Sequence, residues 1–167
     1  MDEEALDPLQ ETEEENKMLF VKTHQRIDEE LMGEITFHER GNAEVKLETT
    51  SAMVADDLGL VHGGFIFSAA DYAAMVAVNE PNVVLIGSEC QFLSPVKFHD
   101  EVVFKAKVRH KEGRKRNVHV NAYVYDVKVF SGEFKTVITE EHVLKLQLQK
   151  DGIKSKEIAE ELPLSTE

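Results

Sequence analysis

The sequence predicts an α+β protein in which a curved antiparallel sheet wraps around one long buried helix. The segment from Phe65 to Val78 is apolar on nearly every side, which is typical of a helix that is buried all round. Two strand-like segments precede this helix and four or five follow it. Because a single sheet leaves one side of such a helix uncovered, a second surface must close it, most simply another copy of the chain.

The first predicted elements are a helix and a hairpin. Residues 17–32 carry apolar side chains at helical spacing and predict an additional N-terminal amphipathic helix, which Gly33 ends. Two strands at 34–39 and 43–50 follow, joined by a turn at Arg40-Gly41-Asn42. The second strand places on one face the alternating residues Ala43, Val45, Leu47 and Thr49.

The buried helix and a meander of strands complete the fold. A loop at 51–61 leads to the helix at about Gly63–Asn79, which Glu80-Pro81-Asn82 ends. The predicted turns lie at Glu112-Gly113-Arg114 and at Val127-Lys128. The strands are expected at 83–93, 101–110, 117–126 and 130–139, with a further candidate at 143–148.

Charge separates the tails from the folded part. Residues 1–16 hold eight acids and no base, and residues 140–167 hold seven acids and four lysines, so these tails account for 11 of the 13 net negative charges. The near-neutral remainder argues against a nucleic-acid-binding face. We therefore expect an acidic, flexible lead-in at 1–16, a single domain at 17–148 and a polar C-terminal tail at 149–167 with a short helix at 155–162.

Composition also predicts a cytoplasmic protein. Cys90 is the single cysteine and forms no intrachain disulfide, which fits a reducing compartment. No apolar run reaches the roughly 18 residues that span a bilayer. The acidic start of the chain is unlike the basic start of a secretory signal peptide.

One motif carries the strongest functional information. His62-Gly63-Gly64, which we call the glycine turn, precedes Asp71 by a short helical segment, and the strand near Phe92 ends in Ser94-Pro95-Val96 before His99-Asp100-Glu101. With this pattern the chain resembles the hotdog-fold superfamily, and within it the PaaI-like acyl-CoA thioesterases, over about residues 33–140. The resemblance implies a hotdog fold, a thioesterase site at a dimer interface and an acyl-CoA ligand, without a metal or a separate cofactor.

The lead-in segment also resembles FapR regulators, whose hotdog domain senses an acyl-CoA. In those proteins a helix-turn-helix precedes the hotdog domain. The segment that precedes the domain here is short and acidic, so we expect no nucleic-acid binding.

The glycine turn is a candidate oxyanion site. Amide N–H groups at a helix start lack intrahelical acceptors, and the helix dipole adds partial positive charge. Glycine also permits a close approach of substrate to Gly63 and Gly64. The alternative is that the two glycines only permit a tight turn. His62 orders this turn or contacts the substrate.

Asp71 is the candidate base or nucleophile, and a buried acid satisfied by a neighbouring hydroxyl or amide is the alternative. Seven residues separate Asp71 from Gly64, or about 10 Å at ~1.5 Å per residue. Since one thioester carbon cannot touch both, a productive site combines Gly64 of one subunit with Asp71 of the other. The resemblance to hotdog enzymes implies the same dimer, with a dimer of dimers as a further option.

Asp56 departs from the family pattern, because related thioesterases commonly carry Asn six residues before the histidine. A carboxylate only accepts hydrogen bonds, whereas an amide also donates. A second acid near Asp71 would raise one of the two pKa values. The alternative for Asp56, which Asp57 follows, is a solvated or capping loop acid.

Two clusters are candidates for substrate contact. Coenzyme A carries phosphates that a basic turn can receive, or the charges are simply solvated. Aromatic and apolar side chains either line an acyl tunnel or pack in the core. The basic cluster is Arg109, Lys111, Arg114, Lys115 and Arg116, and the apolar cluster is Phe65, Phe67, Met75 and Phe92.

Other chemistries lack their motifs. The seven histidines show no metal-ligand spacing, and one cysteine cannot complete a zinc site. The chain contains neither a G-x-S-x-G elbow nor a phosphate-binding loop. The sequence therefore predicts a thioester hydrolase, with a non-catalytic acyl-CoA or acyl-chain binding protein of regulatory role as the alternative.

Overall fold

The computed structural model describes residues 20–146, and it confirms a six-stranded antiparallel sheet around a central helix. The elements in chain order are α1 (Glu29–Met32), β1 (Glu34–Glu39), β2 (Asn42–Glu48), a 3₁₀ turn (Ser51–Met53), α2 (Gly63–Val78), β3 (Val83–Phe92), β4 (Glu101–Glu112), β5 (Lys115–Val124) and β6 (Val127–Ile138).

The sheet has the order β1-β2-β4-β5-β6-β3, and every pair is antiparallel. Period-two alternation decides which side chains face the helix. The predicted face of β2 is buried at all four positions, Ala43, Val45, Leu47 and Thr49. The two edges of the sheet differ, because β1 has six residues and β3 has ten.

Helix α2 lies across the inner face of the sheet and is buried along most of its length. Its small residues, from Ala69 to Ala77, let β2, β4 and β5 approach closely. Asn79 ends the helix in the left-handed conformation at φ 50°, and its amide N–H donates to the Met75 carbonyl. This is the common way to satisfy a carbonyl at a helix end.

Three sequence predictions about local structure are wrong. Within the described residues, the predicted helix at 17–32 is limited to the single turn α1. The segment before it is irregular because the Asn79 side chain holds it, accepting from Lys22 N–H at 2.7 Å and donating to the Phe20 carbonyl at 3.3 Å. Residues 143–146 form a helical turn instead of a strand.

The third error is the turn between β5 and β6, which lies at Tyr125–Asp126 and not at Val127-Lys128. Tyr125 takes the left-handed conformation at φ 53°, which a tight turn requires and which its sequence does not signal. The predictions for residues 1–16, 149–167 and 155–162 lie outside the described residues. Within 20–146, no helix is long and apolar enough to cross a membrane.

Candidate active site

The glycine turn lies at the N-terminus of α2 with its amides unoccupied. His62 is the N-cap and makes no side-chain capping bond. Among residues 20–146, neither the Gly63 nor the Gly64 amide has a hydrogen-bond acceptor, while Phe65 N–H donates to the His62 carbonyl at 3.1 Å. Two N–H groups at the positive end of a sixteen-residue helix are therefore free to bind an oxyanion.

The two glycines are not required by backbone conformation. Neither has a positive φ, so an alanine could adopt either backbone geometry. What glycine provides is space, since a Cβ on Gly64 would lie 3.0 Å from His62 Nε2 and one on Gly63 would lie 3.3 Å from Phe92 Cε1. The missing Cβ atoms thus make room for the His62 and Phe92 side chains, which the tight-turn alternative does not explain.

Asp71 is a partly buried acid with an unsatisfied atom. Its Oδ1 is inaccessible to water and has no hydrogen-bond partner among the described residues. Burial raises the pKa of Asp71 from 3.8 to about 6, because desolvation penalises the charged carboxylate. The alternative in which a neighbouring hydroxyl or amide satisfies this oxygen does not hold within the described part of the chain.

Gly64, Ser68, Asp71 and Val78 lie on one face of α2 and are exposed or partly buried, although Met75 between the last two is buried, and we call these four positions the open stripe. Residues seven apart on a helix share a face, which places Gly64, Asp71 and Val78 in register. Ser68 lies between Gly64 and Asp71, and its hydroxyl donates to the Gly64 carbonyl at 2.9 Å. No role was predicted for Ser68 from the sequence. Its position four residues after Gly64 is the sequence feature that places it on the same face of the helix.

Asp56 does not act on Asp71 in the protomer. Its Oδ1 accepts from the amides of Leu58 at 3.0 Å and of Leu60 at 3.1 Å, which makes it a loop-capping acid. Burial is the cause of the raised pKa of Asp71, with no contribution from a neighbouring charge. The structure thus favours the capping alternative for Asp56. Asp57 beside it is exposed.

The basic cluster lies at the opposite end of the sheet from the glycine turn of the same chain. Gly63 is next to Phe92, whereas Arg116 pairs through Thr136 with Leu85, seven residues earlier on β3. Seven strand residues span about 23 Å. Arg114 forms an ion pair with Glu140, and Arg116 donates to the carbonyls of its own turn. Lys111 and Lys115, like Arg109, are exposed.

The aromatic cluster divides between core and site. Met75 is buried in the core, and the Phe67 ring packs against Phe134 at 5.6 Å. Phe65 contacts the His62 ring edge-on at 6.2 Å. Phe92 is exposed beside Gly63 and packs against the Phe130 ring at 5.3 Å, so it is an aromatic residue next to the glycine turn.

No group of three or more histidine, cysteine, aspartate or glutamate side chains within residues 20–146 is arranged to hold a metal ion. The groups that the described residues present at the site are helix-terminal amides and the Asp71 carboxylate.

Comparison with known proteins identifies the family. The family described as the thioesterase superfamily matches residues 58–131, which include the glycine turn and Asp71. The chain belongs to this superfamily, and its fold is the hotdog fold.

Two relatives and one solved structure are similar to this chain. Methylthioribose-1-phosphate isomerase of Aquifex aeolicus is 54% identical over 117 residues, which cover 70% of this chain and 26% of that protein. Transcription factor FapR of Caldanaerobacter subterraneus subsp. tengcongensis is 32% identical over 117 residues, 70% of this chain and 58% of FapR. The chain thus spans about a quarter of the first relative and less than two thirds of the second.

A solved structure matches over nearly its whole length. The uncharacterized protein PH1136 from Pyrococcus horikoshii is 45% identical with a TM-score of 0.75, covering 76% of this chain and 98% of that chain. The described fold is therefore shared with a protein that consists of little more than the matched region.

Proposed function

We propose that this protein hydrolyses an acyl-CoA thioester at a site shared between two subunits. The observation that carries the proposal is that, among the described residues, the glycine-turn amides of α2 have no acceptor and Asp71 of the same helix has an unpartnered carboxylate oxygen. Structural acids and amides are normally paired when buried. Unsatisfied groups of complementary chemistry on one face are instead typical of a site that binds a reactant.

The chemistry follows from the two groups. The thioester carbonyl oxygen accepts hydrogen bonds from the Gly63 and Gly64 amides, and Asp71 removes a proton from a water molecule that attacks the carbonyl carbon. A C–O bond forms and the amides bind the developing oxyanion. The C–S bond then breaks, and the departing sulfur takes the proton from Asp71, which yields a carboxylic acid and a free thiol. Direct attack by Asp71 on the same carbon is the variant of this mechanism.

The raised pKa suits Asp71 to this role. A base works best when its pKa lies near the working pH, because it is then ionised and still takes up a proton readily. With a pKa of about 6, Asp71 is mostly ionised at neutral pH and a stronger base than an ordinary aspartate.

A second copy of the chain completes the site in this proposal. Strand β3 ends the sheet, and among the described residues no strand pairs with its outer edge; the strand also carries the exposed side chain of Ile86. Long apolar edge strands rarely remain uncovered. Two-fold pairing of β3 with its copy runs the two α2 helices antiparallel, and this brings the partner's Asp71 toward Gly64. It also moves the partner's basic cluster toward the glycine turn.

A second candidate is an acyl-CoA binding protein that does not turn over its ligand. The similarity to a transcription factor at 32% identity favours it. Binding and hydrolysis use the same amides and the same face of α2, so they differ in whether Asp71 activates water.

A panel of acyl-CoA thioesters with detection of the released thiol tests the proposal. We expect turnover by the wild-type protein, a loss of at least about a hundredfold in kcat for Asp71→Asn, and kcat/KM that declines as pH falls below about 6. Asp57→Asn, which removes an exposed acid close to the site, is the matched control and keeps wild-type activity.

Two results would contradict hydrolysis. One is the absence of turnover with every thioester of the panel, and the other is an unchanged rate for Asp71→Asn. Thermal stabilisation by an acyl-CoA without turnover would support the binding protein instead, because a ligand that prefers the folded state raises its stability.

A further inference from the structure

A cavity of about 340 Å³ opens beside the glycine turn. Its walls come from the loop before α2, the first turn of α2 and the chain that follows β3. The apolar side chains of these walls include Leu60, Val61, Ile66, Phe92, Leu93 and Val129. Among the described residues that line this cavity, none is charged.

The cavity begins where the thioester carbonyl is expected to bind. Gly63 is part of its wall, and the Phe92 ring lies just beneath that glycine. The Phe130 ring packs edge-on against Phe92 and supports it. A carbonyl oxygen at the Gly63 and Gly64 amides therefore places the adjoining acyl carbons at the mouth of this cavity.

Three large apolar side chains of the cavity wall remain exposed in the protomer. Leu60 is 42% exposed, Leu93 47% and Phe92 55%. Single exposed apolar residues are ordinary, but a cluster of them around a concave site indicates an apolar ligand or partner. Because Gly63 is part of the same cavity wall, this position favours the part of the ligand that is bonded to the carbonyl.

We propose that the cavity binds the acyl group of the substrate, and that this group is an uncharged, apolar chain of about six to ten carbons. The inference rests on the proposed function. Its size follows from comparison with a buried apolar cavity of about 150 Å³, which holds the six carbons of benzene. The present cavity is roughly twice as large and is open on one side, so part of its volume stays in water.

The uncharged lining of the cavity also limits which acyl groups bind. A carboxylate at the far end of the acyl chain would lose water without gaining a cation, which is strongly unfavourable. The site should therefore reject a dicarboxylic acyl group in favour of a monocarboxylic acyl group of the same length.

The test is a series of straight-chain acyl-CoA thioesters from two to sixteen carbons, with succinyl-CoA set against butyryl-CoA. We expect kcat/KM to rise by up to about fourfold for each added methylene until six to ten carbons, since each buried methylene contributes about 0.8 kcal/mol. Succinyl-CoA should be at least tenfold poorer than butyryl-CoA. A preference for acetyl-CoA or succinyl-CoA would overturn the proposal.

Variants of Leu93 test whether the cavity causes the preference for acyl-chain length. Leu93→Trp fills it and should move the optimum at least two carbons shorter, whereas Leu93→Ala enlarges it and should move the optimum longer. Leu58→Trp is the matched control, because Leu58 is 95% exposed and lies outside the cavity. If Leu93→Trp does not fold, the Leu93→Ala profile decides. An optimum that neither variant moves would contradict the assignment.

Thermal stabilisation by the same thioesters separates this inference from the proposed hydrolysis. If nothing is hydrolysed but stabilisation grows with chain length and is reduced by Leu93→Trp, the cavity assignment stands and the hydrolase assignment fails. Stabilisation that does not depend on chain length would overturn the cavity assignment, and so would the absence of any stabilisation.

Discussion

On the sheet side of α2, the buried hydroxyls of Thr49 and Thr136 have partners, although the buried His38 Nδ1 of β1 has none among the described residues. Thr136 is fully buried in β6, and its hydroxyl donates to the Arg116 carbonyl at 2.9 Å. On the open stripe of the same helix, Asp71 Oδ1 and the two glycine amides have none within residues 20–146. A buried polar group without a partner lowers stability. The comparison indicates that one face of α2 holds the fold together and the other bears a stability cost for binding and chemistry.

Among the variants that distinguish the two faces of α2, Asp71→Asn is expected to change the free energy of unfolding the most. The folded-state pKa of about 6 lies above the unfolded value of 3.8. The charged form is thus penalised in the fold, so the contribution of Asp71 to stability declines as pH rises from about 4 to about 6 and is constant above that. The shift corresponds to about 3 kcal/mol. Because part of the carboxylate stays in water, we expect about 2 kcal/mol.

Denaturant unfolding at about pH 3.5 and pH 8 measures this effect, because the unfolded Asp71 is also protonated only below its ordinary pKa of 3.8. Asp71→Asn should be more stable than wild type at pH 8, and its advantage should shrink toward zero at low pH, where Asp71 is neutral. Asp57→Asn should follow the wild-type pH dependence. A less stable Asp71→Asn at pH 8 would mean that the carboxylate accepts hydrogen bonds and belongs with the satisfied face.

The smallest effect is expected for Asp56→Asn. An amide oxygen accepts from the Leu58 and Leu60 amides as the carboxylate does, so both loop bonds are retained. The free energy of unfolding should change by less than about 0.5 kcal/mol, and kcat/KM should stay within about threefold of wild type in the thiol-release assay. A change of tenfold or more in kcat/KM would show that the charge of Asp56 reaches the ligand.

Most of the fold was predictable because its signals are local. Alternation on β2, the apolar run of α2 and the turn residues Gly41 and Gly113 each lie within a few positions of the element that they specify. The N-terminal segment was mispredicted because its conformation depends on Asn79, 57 positions after Lys22. A distant partner of this kind leaves no periodic signal in the segment itself.

The site was predictable only in part for the same reason. Asp71 and the glycine turn share one helix, so spacing alone places them on one face. The acyl cavity combines the loop at Leu60, the chain at Leu93 and Val129 of β6, which are far apart in sequence. The basic cluster was recognised by composition, but its distance from the glycine turn of the same chain follows from strand register.

Mixing of subunits tests most directly whether the site combines Gly64 of one chain with Asp71 of the other. Gly64→Ala crowds the turn, because the new Cβ lies 3.0 Å from His62 Nε2, and Asp71→Asn removes the base. In a mixed dimer one site keeps both intact residues and the other site loses both. After unfolding and refolding of an equal mixture, half of the dimers are mixed, and we expect about a quarter of the wild-type activity.

Refolded wild-type protein and each variant refolded alone are the controls, and differently tagged subunits establish that mixed dimers have formed. An activity near one quarter of wild type, well above either variant alone, is the predicted result. A mixture with proven mixed dimers and only the average activity of the two variants would contradict the shared site.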